Sequence, residues 1–333
     1  MKKDSDKNQT GRPDGSPRLA PSRPWNPFPV PPDLSGRGIH MGTSGYYYDD
    51  WIGVFNPPKL TGRALKSASR EERDAQDRLR FYQRYFSFVE INHTFYQEPQ
   101  RQHMADIEAR CAGRMLFAIK VHREISHTRD CNAASAKDLM RRYIAAAGPL
   151  VENGRFFSFL IQLEDHWYRT GERLDYLLSV AQEAVAKRLD VHIEFRHASW
   201  HAMPVLQALK DAGVGICNTD IPPVKHAFPL RAYATTGKGY IRYSGRNLET
   251  WYPRAAAATA KNRIATRNAR YDYEYSDEEL DKIVTGQLAL MKKTGSLAIA
   301  YNNHYRAKAI KNAIENIAKL KTLLENADVT SKT

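Results

Sequence analysis

Cysteine is scarce in this chain. Its 333 residues hold three, Cys111, Cys131 and Cys217, an odd number with no close metal-type spacing. Neither a disulfide framework nor a zinc knuckle follows from them, and the thiols are expected to be reduced. Long apolar runs are missing too. No stretch approaches the roughly 18 uncharged apolar residues of a membrane span, and the opening segment MKKDSDKNQTGRPDGSPRLAPSRPWNPFPVPP lacks a secretory hydrophobic region. No membrane partner is expected, and the cytoplasm is the default address. Acidic side chains fall short of basic ones, 37 against 50, for a net charge of +13. An excess of this size suits nucleic acid, anionic substrates or simple solubility. Residues 1–36 carry only +2 of it, leaving +11 on the remainder. That leader is Pro-rich and poor in aliphatics, so it is expected to be disordered and outside the fold.

What the chain does have, at 42% hydrophobic residues, is enough apolar material for a large domain. From Arg37 onward one theme repeats: a short β-branched or aromatic run, a polar end, then a longer helical pattern. The predicted strands are Ile39–Thr43, Phe88–Asn92, Leu116–Val121, Phe157–Gln162, Val191–Phe195, Val214–Asn218, Gly239–Tyr243 and Leu297–Tyr301. Helical patterns cover about Glu72–Phe86, Gln100–Cys111, Ser135–Ala147, Glu172–Lys187, Met203–Ala212, Ser276–Lys293 and Tyr305–Glu325. Alternating β and α units imply parallel strands with right-handed crossovers, and eight of them favour a closed (β/α)8 TIM barrel over a doubly wound sheet. Ile221–Lys238 has three prolines and no clear helix, so an irregular barrel with seven regular helices fits as well. The expected organisation is a leader at 1–36, one barrel domain at 37–325 and a flexible tail at 326–333.

Asp190–Trp200, DVHIEFRHASW, shows why the strand faces matter. Val191, Ile193 and Phe195 alternate with His192, Glu194 and Arg196. In a barrel one face meets the helices and the other the axis, where a carboxylate and a guanidinium would be buried together. Burial of that kind is costly unless the charges are paired or serve a ligand. The phase recurs, with Val89 and Ile91 flanking Glu90, Ile119 and Val121 flanking Lys120, and Ile241 before Arg242. Nearly every strand ends in polar groups: Ser44, Asn92, His122, Gln162, His197, Asn218, Asp220 and Asn302 among them. In this fold those ends form the mouth where active sites lie. A satisfied polar layer inside the barrel is the structural alternative.

The motifs also resemble a family. Gly42-Thr43-Ser44-Gly45-Tyr46 with Trp51 and Gly53, Phe88–Tyr96 followed by Pro99, Phe117-Ala118-Ile119-Lys120, Ser126-His127, Gln162, Glu194-Phe195-Arg196-His197 with Ser199-Trp200, Asp220, Tyr240-Ile241-Arg242 and Tyr301-Asn302-Asn303 occur in one order. Together, over about residues 39–320, they resemble domain-of-unknown-function family 72, also called YecE-like. The resemblance implies a TIM barrel without an assigned activity. Departures from the family pattern are Tyr46 in place of Trp, Phe55-Asn56-Pro57, Glu164-Asp165 in place of a proline pair, Ser244-Gly245 in place of His-Gly, and an insert at Lys59–Arg70 that suggests an altered rim.

Several chemistries follow from the strand ends. Glu194, Glu90 and Asp220 are the candidate acid/base groups. Lys120, Arg196 and Arg242, with Asn92, Gln162 and Asn302, suit an anionic ligand, and Ser44, Tyr46, Tyr96, His127 and His197 complete the predicted binding set. Internal pairing of Glu90 with Lys120, and of Glu194 with Arg196 or Arg242, is the competing arrangement. Glu90, His127, Glu194, His197, Asp220 and His304 are sensible ligand types for a divalent metal, but no HxH or HExxH spacing joins them and no metal site is assigned. Ser44 in GTSGY lacks the G-x-S-x-G elbow of a serine hydrolase. Aromatic residues near the mouth suit a sugar or base face. Two functions result. One is an enzyme of hydrolase, lyase or isomerase type acting on an anionic sugar-like or nucleotide-like small molecule. The other is a nuclease-like, nucleic-acid-binding barrel using Arg246, Arg254, Lys261, Arg263, Arg267 and Arg270 in the loop Ser244–Tyr275. No cofactor is assigned, and the oligomeric state is open.

Overall fold

A computed structural model of the chain describes residues 25–111, 113, 115–252 and 268–330. Eight parallel strands close into a barrel in sequence order: β1 (Ile39–Ser44), β2 (Phe88–Ile91), β3 (Leu116–Lys120), β4 (Phe156–Gln162), β5 (Val191–Glu194), β6 (Gly215–Asp220), β7 (Lys238–Tyr243) and β8 (Ser296–Tyr301). Closure is made by β1 against β8, from Ile39 opposite Leu297 to Thr43 opposite Tyr301. This is the predicted TIM barrel, and the strand alternation divides its core in two. Val89, Ile91, Phe117, Ile119, Ile193 and Ile299 pack outward in the large core under the helices. Phe88, Ala118, Leu160, Cys217, Tyr240, Ala298 and Ala300 fill the axis as a separate cluster.

Ile221–Lys238 contains no helix, so the barrel is irregular after β6. Side chains replace the missing helix: Asn218 accepts from Tyr233 N at 2.9 Å and donates back to Tyr233 O at 2.9 Å. Thr235 Oγ1 receives Ile216 N at 2.9 Å. The segment expected as one helix over Glu72–Phe86 is instead two, Arg70–Asp74 and Arg78–Tyr82. Asp77 causes the break, because its carboxylate accepts from Leu79 N and Arg80 N and restarts the helix as an N-cap.

The expected boundaries need correction at both ends. Residues 25–36 belong to the fold: the Trp25 indole donates to Phe55 O at 2.7 Å, Tyr85 donates to Asn26 Oδ1 at 2.6 Å, and Phe28 packs on the core. The leader's few aromatics, rather than its missing aliphatics, decide this, and they have a receptor in Phe55. That ring sits among Phe28, Trp51, Phe81, Tyr82, Tyr85 and Phe86. The C-terminal helix runs over Lys308–Thr330, past the expected end at 325. Among the described residues no helix is long and apolar enough to cross a membrane.

Candidate active site

At the C-terminal ends of the strands the axial face changes from apolar to charged. Arg242, on β7, occupies the axis and is 1% exposed. Its Nε and Nη2 donate to Glu90 of β2 at 2.7 and 2.9 Å, and its Nη1 donates to Glu194 of β5. Both carboxylates are fully buried, a position that is costly for a carboxylate unless it is paired in this way. Glu90 also accepts from Tyr240 at 2.6 Å and from Ser44. Ser44 Oγ receives Asn92 Nδ2 at 2.7 Å and Arg242 Nη2 at 3.1 Å. Glu194 continues the chain of charges by accepting from Arg196 Nε at 2.8 Å. Arg196 lies 3.6 Å from Asp165, which receives Arg270 Nη2 at 3.0 Å. Burial alone would raise the Glu194 pKa, but Arg242 and Arg196 outweigh it and hold the carboxyl at about 2. Glu194 is therefore a fixed anion at neutral pH.

Lys120, at the end of β3, stands apart from this chain. The expected pairing with Glu90 does not form. Its ammonium donates to Gln162 Oε1 at 2.7 Å and lies 4.1 Å above the Phe95 ring. Burial, reinforced by the cation of Arg242, pulls its pKa down to about 7, with Glu90 and Glu194 opposing. His127 follows the same logic. Burial first, then Lys120 and Arg196, lower it to about 4, and its Nδ1 shares a hydrogen bond of 2.8 Å with Ser126.

A cavity of about 450 Å³ opens above Glu90, Arg242 and Lys120. It lies among the ends of β1, β2, β3, β7 and β8, lined further by Tyr46, Asn92, Tyr96, Tyr271 and Asn302. Two loops frame it. Gly45, at φ 81°, has no room for a side chain, since a Cβ would meet Tyr48 Oη at 2.9 Å. The loop then carries Tyr48, whose ring stacks on His304 at 4.0 Å, and Trp51, whose indole donates to His304 O at 2.7 Å. Sequence reasoning passed over His93, Tyr271 and the cavity role of His304. Tyr271 follows a short helical turn at 268–270 that carries no apolar phase to place it, whereas His93 and His304 directly follow strand-end polar residues and could have been found there.

Of the predicted site residues, Glu90, Tyr46, Asn92, Tyr96, Lys120, Arg242 and Asn302 line this cavity. Ser44 supports it from beneath through Glu90 and Asn92. Glu194, Gln162 and Arg196 lie on the other side of the axis, within the ion-pair and hydrogen-bond network, while His127 packs behind the cavity-lining Phe95, with ring centroids 4.9 Å apart. His197 is turned to Ser199, with Nδ1 to Oγ at 2.8 Å. Asp220 is not at the axial chamber. On β6 it is Cys217 that joins the axial cluster, which gives Asn218 and Asp220 the outward phase. Asp220 accordingly receives Arg246 Nε at 2.9 Å, and Arg246 also pairs with Glu279 on the helix Asp277–Met291. Burial raises the Asp220 pKa against the pull of Arg246. Among the described residues no three His, Cys, Asp or Glu are placed to hold a metal ion together.

The departures from the family pattern have structural roles. Asp165 supplies the carboxylate shared by Arg196 and Arg270, and Ser244 Oγ accepts from Asn302 Nδ2 at 3.2 Å. The helix Gly62–Ser67 within the insert buries no residue and does not reach the cavity.

A closed eight-stranded α/β barrel with a polar cavity at the C-terminal ends of its strands defines the class: a TIM-barrel protein with its candidate site where barrel enzymes carry theirs. The family model described as a protein of unknown function, DUF72, matches residues 40–332, and the chain belongs to that family. Two solved structures share the architecture. A DUF72 family protein of Thermotoga maritima is 23% identical, with a TM-score of 0.66, covering 86% of this chain and 99% of its own. A DUF72 family protein of Enterococcus faecalis is 21% identical, with a TM-score of 0.69, covering 85% and 95%. No curated protein matches the chain.

Proposed function

We propose that this protein is a cytoplasmic enzyme of hydrolase, lyase or isomerase type acting on a small sugar-like molecule, neutral or singly anionic, at the barrel mouth. The observation that carries this reading is the cavity itself. Its floor holds a buried charge pair, its wall a lysine with no carboxylate partner among the described residues, and its remaining lining is mostly amide, imidazole and aromatic. Amides and tyrosines suit hydroxyl groups and ring faces. Glu90 and Arg242 offset each other, so Lys120 is the cation left to meet an anion. That favours at most one carboxylate or phosphate over a polyphosphate. Lys120, close to neutrality in pKa, is the group suited to move a proton, and Glu90 orients and polarises.

The test is a thermal-shift panel of aldoses, ketoses, sugar acids, sugar monophosphates and nucleotides. A sugar-type ligand should raise the melting temperature of the intact protein, and Lys120→Met should reduce that shift. A panel that leaves the melting temperature unmoved throughout would refute the reading. For the nucleic-acid alternative, Arg254, Lys261, Arg263 and Arg267 lie outside the described residues, while Arg246 and Arg270 are held in ion pairs. Affinity for DNA or RNA that falls steeply with added salt would favour that alternative instead.

A further inference from the structure

Resting on the pocket reading above, we infer that Lys120 is a covalent attachment site, forming an imine with an aldehyde or ketone ligand, so that the molecules taken by the cavity are hydroxylated carbonyl compounds such as open-chain sugars. The geometry comes first. Lys120 lines a cavity of about 450 Å³ that is large enough for such a ligand, and its Nζ is the group placed to react there. It is held by the neutral oxygen of Gln162 on β4 rather than by a carboxylate, and it rests on the apolar face of Phe95. The charged groups facing it are Glu90 from β2, Glu194 and Arg196 from β5 and Arg242 from β7, with the titratable His127 beyond its own strand held neutral by its low pKa. The carboxylates are matched by the guanidiniums, since Arg242 takes both Glu90 and Glu194, and Arg196 takes Glu194 again. Burial, with the cations of Arg242 and Arg196, outweighs the pull of Glu90 and Glu194 towards the ammonium form, which agrees with a pKa of about 7. An amine in an apolar niche beside another cation is the setting in which lysines act as nucleophiles.

The chemistry balances without an oxidant or a metal. The free Nζ lone pair bonds to the carbonyl carbon while the C=O π pair moves to oxygen. A proton passes from nitrogen to that oxygen, giving a carbinolamine. One proton taken from solvent at the open mouth lets the hydroxyl leave as water, and the nitrogen lone pair closes the C=N⁺ bond. No electrons are gained or lost. Asn92 and Asn302, on the same cavity wall, are the groups available to hydrogen-bond the departing oxygen and neighbouring hydroxyls.

The experiment uses the full-length native protein, so no variant has to fold. Glyceraldehyde with cyanoborohydride at pH 7 converts any imine to a stable secondary amine, and peptide mass spectrometry gives the rate at each lysine. Exposed Lys187 and Lys210 serve as internal references. An ordinary lysine is protonated in all but about one part in 2,500 at that pH. Lys120 should therefore label at least tenfold faster than either reference, with a rate that rises through pH 7 and levels by pH 8. Labelling no faster than Lys187 and Lys210 would overturn the inference. If a sugar still raised the melting temperature in that case, the pocket reading would survive its loss; if none did, both would fall.

Discussion

The two sides of the barrel mouth carry the same residue types to different ends. On the β4–β6 side polar groups are bonded to one another. Arg196 joins Glu194 to Asp165, Arg270 lies on Asp165 and stacks 4.0 Å from Trp251, and Gln162 donates to Leu163 O while accepting Lys120. Trp200 seals that side beneath, stacked on Phe195 and Trp167 and donating to Trp167 O at 2.6 Å. On the side of β1–β3, β7 and β8 the groups face space. Asn92 Oδ1 is buried without a hydrogen-bond partner, and Tyr96 is 65% exposed. Arg242 is the seam, gripping one carboxylate from each side. Charge at a strand end is thus no guide to function until its partner is known; what separates the halves is whether the charged groups are taken up by one another or face the cavity.

The largest effect expected is on the closed side. Glu194→Gln keeps the shape but leaves Arg242 and Arg196 with one carboxylate fewer between them in a buried site. Removing one member of such a group costs on the order of 3–5 kcal/mol. Chemical denaturation of the purified variant reads it directly. An unchanged midpoint would mean that Glu194 is not what neutralises the guanidiniums, and the distinction between closed and open halves would lose its main support.

Much of this contrast was legible in the residues and part of it was not. The barrel and its eight strands follow from apolar–polar alternation, and so does the axial direction of Glu90, Lys120, Glu194 and Arg242. That phase is physical, because a one-residue slip would place each charge under a helix. Where alternation is weak the reading slipped. GICNTD has a small thiol as its only axial apolar marker, so its pattern points Asp220 to the mouth, whereas it turns outward to Arg246. Partner choice was also hidden. Glu90 and Lys120 are on adjacent strands, yet Arg242 reaches Glu90 from β7, because long side chains on the axis meet across the barrel rather than along the sheet. The docking of Trp25 and Phe28 depended on a receptor, Phe55, that no local pattern reveals.

A smaller effect, of opposite sign, is expected for Lys120 on the open side. Its folded-state pKa lies below that of an unfolded lysine, about 10.4. Between pH 7 and 10 the unfolded chain therefore binds more protons than the folded one, and stability from this group rises with pH. The burial penalty is complete below pH 7 and gone above about pH 10. Lys120→Met should raise stability by about 1–3 kcal/mol at pH 6, an advantage that shrinks towards zero at pH 10. Paired melts across that range check it, since other alkaline titrations are common to both proteins. A gain that stays constant with pH would mean that Lys120 is not depressed.

The smallest effect on stability, and the sharpest separation of the two halves, is expected at Asn92. Its Nδ2 donates to Ser44 at 2.7 Å and also engages the Tyr48 hydroxyl, while its Oδ1 has no hydrogen-bond partner. Asn92→Ala therefore loses about 1 kcal/mol from these bonds and recovers a similar amount by removing an unsatisfied buried acceptor. Folding should change by less than about 0.5 kcal/mol. A ligand that satisfies Oδ1 in the native cavity would instead lose roughly tenfold in affinity, about 1.4 kcal/mol. Stability and binding are thus expected to come apart here, whereas at Glu194 a loss of fold would carry binding with it. If Asn92→Ala proved as destabilising as Glu194→Gln, Asn92 would belong to the closed network, and the open side would be a gap in packing rather than a site waiting for a ligand.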